Sequence, residues 1–284
     1  MRKIQSVAVI GSGTMGQGIA QVFSLNGYPT QLFDIHPEKV NNAISVIQKS
    51  VQILIDKGKL ESSMSSVLHQ NLTPIFNFEQ VKADFIIEAI VENKEAKKDI
   101  FIRLADINNE HAILATNTST IPVTQIALGI PQPHRVIGVH FFNPAPLMKL
   151  VEIIPSTFTS IEIVNQVTSF IQSMGKTTIS AKDEPGFIVN RVARPFYTES
   201  LQLMEEGISS VQETDEILTS CGFKMGPFRL MDLIGVDVNF SVTSSIYSLF
   251  HQVSRFRPSR TQQKLVDSGF WGRKSGRGFY EYEH

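Results

Sequence analysis

A glycine-rich turn directly after an apolar run limits the fold of this chain more than any other feature. Val7-Ala8-Val9-Ile10 is typical of a buried strand, and Gly11-Ser12-Gly13-Thr14-Met15-Gly16 joins it to a helical pattern from Gly16 to Leu25. Glycines at these three positions permit a tight turn, close backbone approach to a pyrophosphate, and close helix packing. The N–H groups that open the helix can then bind the phosphates. The pattern predicts a dinucleotide-binding β-α-β unit.

An aspartate follows the second predicted strand, Thr30-Gln31-Leu32-Phe33. Asp34 lies eighteen residues after Gly16, the region where such folds place the carboxylate that binds the ribose hydroxyls. That carboxylate would repel a 2′-phosphate, and residues 35–40 contain no arginine that would attract one. The sequence therefore favours NAD over NADP as the cofactor.

Short apolar runs continue to alternate with helical patterns through the first two thirds of the chain. They lie at Phe85–Ile87, Ala112–Ala115, Val136–Val139, Leu150–Ile154 and Thr177–Ser180. Runs of this kind predict parallel strands covered on both faces, and right-handed crossovers make the sheet doubly wound. The roughly fifty residues between Asp34 and Phe85 exceed a simple crossover. Their helical patterns, Glu38–Lys57 and Ser62–Asn71, predict a helical excursion projecting from the sheet.

The periodicity changes after Pro185, where only helical patterns follow. They cover Phe187–Glu206, Val211–Cys221, Pro227–Ile234 and Val236–Phe250. We therefore predict an α/β protein of two domains. Residues 1–184 form a Rossmann-type NAD-binding domain, and residues 185–284 form an all-α substrate and dimerisation domain.

Composition narrows the classes of function. The 26 Lys and Arg residues against 27 Asp and Glu give a formal charge of -1, so no nucleic-acid or membrane partner is expected. The single cysteine, Cys221, cannot form an intramolecular disulfide and is expected to be buried in a helix. The first apolar run is too short for a signal peptide, and no run is long enough to span a membrane. These features predict a cytoplasmic protein, and no metal site is predicted.

A histidine and a glutamate form the second informative pattern. His140 ends one apolar run, and Glu152 lies inside the next. A glutamate among Leu, Val and Ile is costly unless it is paired. A contact with His140 would remove that cost, and the carboxylate would fix the imidazole tautomer and stabilise the imidazolium. On spacing alone a structural His–Glu pair is an equal alternative, but the upstream dinucleotide motif favours a general base for alcohol oxidation.

Seven segments together resemble the 3-hydroxyacyl-CoA dehydrogenase family. They are GSGTMGQGIA, AIVENKEAKKDIF, TNTSTIPVTQIA, HFFNPAPLMKLVEII, PGFIVNRV, MGPFRLMDLIGVD and GRKSGRGFYEY, in the family's order from about Val7 to Tyr282. The resemblance implies NAD-dependent, reversible oxidation of an L-3-hydroxyacyl-CoA to the 3-ketoacyl-CoA. It also implies a homodimer formed through the helical domain.

The resemblance assigns roles residue by residue. It makes His140 the general base, Glu152 its partner, Ser119 a contact of the substrate oxygen and the cofactor, and Asn190 a contact of the substrate carbonyl. Further positions are implied as cofactor contacts (Glu92, Lys97, Asn143 and Lys274) and as coenzyme A contacts (Ser50 and Lys57). Without the resemblance, Ser119 would be a turn or cap residue, and Glu92 and Lys97 the solvated start of a helix.

The sequence does not decide which acyl chain the substrate carries. The segments NRVARPFY and DLIGVDVNFSVTSSIYSLF resemble the bacterial branch that acts on 3-hydroxyadipyl-CoA in phenylacetate breakdown, and the 3-hydroxybutyryl-CoA branch is the competing assignment. A dicarboxylic chain requires a distal cation, for which the candidates are Arg194, Arg229, Arg255, Arg257 and Arg260. A free hydroxyacid dehydrogenase and a crystallin-like NAD-binding protein without turnover are the alternatives outside this activity.

Overall fold

The chain divides into two compact units, Met1–Glu184 and Pro185–His284. A computed structural model describes residues 3–283. The first unit is a mostly parallel sheet flanked by helices, and the second is helical. The predicted fold class, a Rossmann-type sheet with a helical excursion followed by an all-α region, is confirmed.

Within the described residues, the first unit contains one sheet of eight strands. Its strands are β1 Val7–Ile10, β2 Thr30–Phe33, β3 Leu72–Ile75, β4 Phe85–Glu88, β5 Ile113–Thr116, β6 Val136–Phe141, β7 Leu150–Pro155 and β8 Thr177–Ser180. The spatial order is β3-β2-β1-β4-β5-β6-β7-β8. The order reverses direction between β1 and β4, which is the topological switch point where such sheets bind ligands.

Helices cover the two faces of this sheet. They are α1 Thr14–Leu25, α2 Pro37–Asp56, α3 Ser63–Asn71, α4 Lys94–Ile107, α5 Val123–Ala127 and α6 Ile161–Gln172. The central strands are buried on both faces, as their unbroken apolar runs require. An aromatic cluster joins helices α1 and α6, with the rings of Phe23 and Phe170 stacked at a centroid distance of 5.6 Å.

Two strands differ from the sequence prediction. β7 is antiparallel to β6, whereas parallel strands were predicted throughout. Only a short loop without a helix joins the two, and a parallel connection would need a crossover. Strand β3 was missed, because it is short, carries Pro74, and pairs at the edge of the sheet, where proline is tolerated.

The helical excursion is only partly detached from the sheet. One face of α2 carries Val40, Ala43, Ile47 and Val51, which belong to the core beneath α1 and β2. In the last turn of α2, Ile55 still packs against that core, whereas Asp56 and Lys57 are exposed. The excursion is therefore anchored along one face, and its other face reaches solvent.

The second unit consists of helices α7 Val189–Glu205, α8 Val211–Ser220, α9 Pro227–Ile234, α10 Val236–Leu249 and α11 Arg260–Asp267. Tyr197, Leu201, Phe228 and Met231 form a core cluster in it. The helix α11 was not predicted. Cys221 caps α8 and is exposed, so the expectation that it is buried was wrong. No helix among residues 3–283 combines the length and apolarity needed to cross a membrane.

Candidate active site

The carboxyl ends of the central strands form one edge of the sheet. The register aligns Ile10 with Glu88, Glu88 with Thr116, and Thr116 with Gly138. The residues that follow these positions therefore emerge at the same edge, including Gly11 after β1 and His140 near the end of β6. This edge is where open α/β sheets bind ligands.

Three glycines shape the turn between β1 and α1. A Cβ on Gly11, whose φ is +100°, would lie 2.6 Å from the carbonyl oxygen of Ala89, and one on Gly16 would overlap the carbonyl oxygen of Gly11. A Cβ on Gly13 would meet nothing within 4 Å. The first and third glycines are thus required by packing, whereas Gly13 leaves space at the start of α1, where no side chain caps the helix. Free N–H groups in such a space suit a pyrophosphate.

A cleft of about 830 Å³ adjoins this turn. It is lined by the turn residues 11–15, by the residues after β2, by the residues after β4, and by Ala96, Asp99, Ile100 and Arg103 of α4. Its position at the switch point and its mixed apolar and polar lining fit the adenosine and pyrophosphate of a dinucleotide.

Asp34 lies in the wall of this cleft. Its Oδ2 accepts hydrogen bonds from the N–H and the hydroxyl of Ser12, both at 2.9 Å, and its Oδ1 accepts from the N–H of His36. Partial burial acts to raise the pKa of the Asp34 carboxyl, but these hydrogen bonds and nearby Lys39 offset burial and lower the pKa below its usual value. The group is therefore an anion at neutral pH, aligned with the glycine turn.

His140 and Glu152 form a buried pair across strands β6 and β7. The antiparallel register places the two residues directly opposite each other, and the imidazole Nδ1 lies 2.7 Å from Glu152 Oε2. The side chains are 5% and 0% exposed. A carboxylate accepts only, so Nδ1 carries the proton and Nε2 is the basic nitrogen of the ring.

Ser119 lies on the other side of the imidazole. It belongs to the loop after β5, and its Oγ is 3.2 Å from His140 Nε2. The ring is therefore held between a carboxylate at Nδ1 and a hydroxyl at Nε2. An alcohol oxygen that contacts both Ser119 Oγ and Nε2 would be placed for proton transfer to the ring.

Glu92 holds the Ser119 loop through its main chain. Its Oε1 accepts from the N–H groups of Ser119 and Thr120, at 2.9 and 3.0 Å, and from the hydroxyls of Thr118 and Thr120. Burial acts to raise the pKa of the Glu92 carboxyl, but Lys97 and these hydrogen bonds outweigh it and lower the pKa. Glu92 thus stays ionised and fixes the loop that carries Ser119.

Lys97 points inward, and it is not among the residues that line the cleft. Its side chain is 1% exposed, and its Nζ lies 2.7 Å from Glu88 Oε1 and 3.3 Å from Glu92 Oε2. The ammonium neutralises two carboxylates behind the Ser119 loop. Contact with a cofactor, which the resemblance implied for Lys97, stays a prediction.

Glu88 is the residue that sequence reasoning missed. It ends β4, is fully buried, and accepts hydrogen bonds from Lys97 Nζ, the Thr116 hydroxyl and the N–H of Ile90. Burial raises the pKa of its carboxyl despite these donors. The sequence does contain a pattern that could have identified it. Glu88 is an ionisable residue at the end of an apolar run, as His140 is.

Three further predicted residues lie in the first unit. Asn143 is exposed in the loop between β6 and β7. Ser50 is half-buried on α2, and Lys57 is exposed just after that helix. The ligand contacts of these three residues stay predictions.

Two predicted residues lie in the helical unit. Asn190 is half-buried in the first turn of α7. Lys274 donates to the carboxylate of Asp237 at 2.7 Å and lies over the ring of Trp271. Their roles toward substrate and cofactor stay predictions as well.

Comparison with family models matches both units. Residues 6–184 match the model "3-hydroxyacyl-CoA dehydrogenase, NAD binding domain", and residues 186–282 match "3-hydroxyacyl-CoA dehydrogenase, C-terminal domain". The two matches cover nearly the whole chain, and the first identifies NAD as the cofactor of the α/β unit.

Individual relatives agree with these models. The chain is 44% identical to "3-hydroxyadipyl-CoA dehydrogenase" of Escherichia coli over 99% of its own length and 60% of that protein. It is 38% identical to "Probable 3-hydroxybutyryl-CoA dehydrogenase" of Bacillus subtilis, over 99% of this chain and 98% of that protein. The solved (S)-3-hydroxybutyryl-CoA dehydrogenase from Ralstonia eutropha superimposes with a TM-score of 0.93 at 34% identity, covering 99% of this chain and 100% of that one.

Proposed function

The chain belongs to the 3-hydroxyacyl-CoA dehydrogenase family of NAD-dependent oxidoreductases, and we propose that it oxidises the 3-hydroxyl of an acyl-CoA thioester with His140 as general base. The product is the 3-ketoacyl-CoA, and the reaction is reversible. The observation that carries this proposal is the placement of the His140 ring between Glu152 and Ser119.

His140 and Glu152 move and stabilise the proton in this proposal. The substrate hydroxyl donates to Nε2 of the neutral imidazole while Ser119 Oγ contacts the same oxygen. As the hydroxyl proton transfers, the ring becomes an imidazolium. Glu152, which is buried and bonded to Nδ1, stabilises the new positive charge and keeps the ring in the productive orientation.

The glycine turn and Asp34 supply the cofactor site. The first N–H groups of α1 would bind the pyrophosphate, and Asp34 would bind the adenine ribose. When bound, NAD accepts the hydride that leaves C3 of the substrate. Asn190 is proposed to hold the thioester carbonyl, and Ser50 and Lys57 to contact coenzyme A, all three on the strength of the resemblance.

Two substrates test this proposal, a 3-hydroxyacyl-CoA and the free 3-hydroxyacid of the same chain length, which lacks coenzyme A. We expect NADH formation from a 3-hydroxyacyl-CoA and at least ~10²-fold lower kcat/KM for the free 3-hydroxyacid, because coenzyme A contributes binding energy remote from the reacting carbon. Equal rates with both substrates would favour the free hydroxyacid dehydrogenase instead. NAD binding without turnover of either would favour a crystallin-like protein.

Assembly and location are further parts of the proposal. We propose a homodimer formed through the helical unit and a cytoplasmic location. The resemblance to the family supports the homodimer. The single cysteine, which offers no intramolecular disulfide, supports the location. Light scattering on the purified chain would decide the first, with a mass near 31.7 kDa contradicting the dimer.

A further inference from the structure

The side chain of Asn117 links the two segments that carry Ser119 and His140. Asn117 directly follows β5, lies two residues before Ser119, and is 8% exposed. Its Oδ1 accepts a hydrogen bond of 2.8 Å from the main-chain N–H of Phe141, the residue after His140 on β6. This amide therefore joins the loop that carries the hydroxyl to the strand that carries the histidine.

That hydrogen bond lies beyond the point where the main-chain pairing of β5 with β6 ends. The paired residues of the two strands end at Thr116 and Gly138, whereas β6 continues to Phe141. On its other side β6 is paired to its end, with Val151 of β7 opposite Phe141. A buried main-chain N–H needs a partner. For Phe141, which is 1% exposed, the amide of Asn117 supplies it.

Asn117 is itself fixed through its main chain. Its N–H donates to the carbonyl oxygen of Glu88 at 2.8 Å, directly after the last paired residues of β4 and β5. Among the described residues, the bond to Phe141 is the only hydrogen bond that the amide side chain forms. Shortening the side chain would therefore remove this bond and no other.

The distance between the imidazole and Ser119 depends on this connection. Glu92 fixes the main chain of the Ser119 loop, and Glu152 binds Nδ1 of the ring, but neither carboxylate ties the end of β6 to the loop after β5. Nε2 and Ser119 Oγ are 3.2 Å apart. General-base catalysis needs heavy atoms within roughly 2.6–3.2 Å of each other, so a small shift of β6 would prevent both groups from contacting one substrate oxygen.

We propose that Asn117 is a positioning residue for His140. Its amide holds the end of β6 against the Ser119 loop, so that Nε2 and Ser119 Oγ contact the same substrate oxygen. This assignment rests on the proposed function, because Asn117 acts only through the general base. Loss of the amide lowers kcat, whereas the glycine turn and Asp34 maintain the affinity for NAD.

Two substitutions at this position test the proposal with 3-hydroxybutyryl-CoA and NAD. Asn117→Ala removes the acceptor, and kcat should fall by about 10–10²-fold, since a displacement of ~1 Å can cost ~10²-fold. The KM for NAD should stay within a few-fold of the wild-type value. Asn117→Asp keeps an oxygen that can accept from the N–H of Phe141, and its kcat at the high-pH plateau should stay within a few-fold of the wild-type value.

The pH profile of Asn117→Asp gives a second readout, which a purely structural residue would not change. The new carboxylate adds a negative charge on the β5 side of His140, while Glu152 on β7 and the Glu92–Lys97 pair are unchanged. A nearby negative charge favours the protonated ring, and only the neutral ring can accept the substrate proton. The acidic limb of the kcat/KM profile should therefore move to higher pH than in the wild type.

Asn108→Ala is the matched control. Asn108 is 9% exposed and makes hydrogen bonds of the same kind before the amino ends of β4 and β5. Its Oδ1 accepts from the N–H of Ala83, and its Nδ2 donates to the carbonyl oxygens of Val81 and Leu104. The substitution should lower the melting temperature and leave kcat within a few-fold of the wild-type value.

Any of four results would overturn the assignment. They are a normal kcat in Asn117→Ala, a loss in Asn117→Asp as large as that in Asn117→Ala at every pH, an acidic limb that does not move in Asn117→Asp, and an equal loss of kcat in Asn108→Ala. If Asn117→Ala does not fold, Asn117→Ser, whose hydroxyl is one bond shorter than the amide, replaces it with the same expected loss. Failure of the proposed function is distinguishable, because the wild type would then form no NADH from the thioester.

Discussion

His140 and Glu152 lie directly opposite each other on antiparallel strands, with 2.7 Å between Nδ1 and Oε2. Twelve residues separate them in sequence, and the turn of the chain between β6 and β7 brings them together. Neither strand is at the edge of the sheet, and the pair is buried. A buried carboxylate hydrogen-bonded to a histidine is suited to orienting the ring during proton transfer.

The charge of Glu152 should be required for rapid turnover. Glu152→Gln retains the shape of the side chain but removes the negative charge that stabilises the imidazolium, so we expect kcat to fall by on the order of 10²-fold or more. The melting temperature should fall as well, because the position is fully buried. Glu281→Gln, at an 80% exposed side chain, is the control and should alter neither quantity. A Glu152→Gln enzyme with normal kcat would remove the carboxylate from the mechanism.

Asp34 should determine the choice of cofactor. Replacing it with serine removes the anion that repels a 2′-phosphate, while Lys39 and Arg103 stay in the wall of the same cleft. We expect kcat/KM to fall by about 10-fold with NAD and to rise with NADP. Steady-state kinetics with both cofactors measure the ratio. A variant that loses NAD activity and gains none with NADP would indicate that Asp34 only holds the turn through Ser12.

Lys97 should be essential to the fold because of its two carboxylate partners. Lys97→Met leaves Glu88 and Glu92 without their cation, and we expect the free energy of unfolding to fall by about 3–5 kcal/mol. Adding Glu88→Gln removes one buried charge and should restore part of that loss. Lys94→Met, at a half-exposed neighbouring position, is the control. If urea unfolding shows the single and double variants to be equally stable, the unpaired charge of Glu88 is not the cause of the loss.

Glu92 should make the free energy of unfolding depend on pH in the acidic range. The folded state lowers the pKa of its carboxyl below the ordinary value of 4.5. The stabilisation is therefore present above that value and is lost as the pH falls through the lower folded pKa. The stability gap between the wild type and Glu92→Gln should therefore be constant at neutral pH and shrink below about pH 4.5. A gap of the same size at pH 3 and pH 7 would show that the ionised carboxylate does not hold the loop.

The sequence predicted the elements whose physical requirements are local. The glycine turn, Asp34 and the alternation of apolar runs with helices follow from backbone sterics and burial. The direction of β7 was missed because continuous apolar runs are typical of both parallel and buried antiparallel strands, and only the short connection distinguishes them. The burial of Lys97 could not be read from its neighbours, since the start of α4 is otherwise charged and solvated. Its partner Glu88 comes from another strand, and only the tertiary fold brings them together.

Single-turnover NADH formation by His140→Gln with a saturating 3-hydroxyacyl-CoA tests whether His140 is the general base. We expect NAD affinity to be nearly unchanged, since the glycine turn and Asp34 are intact, and the rate of NADH formation to fall by about 10²–10⁴-fold. A rate close to that of the wild type would show that another group accepts the proton.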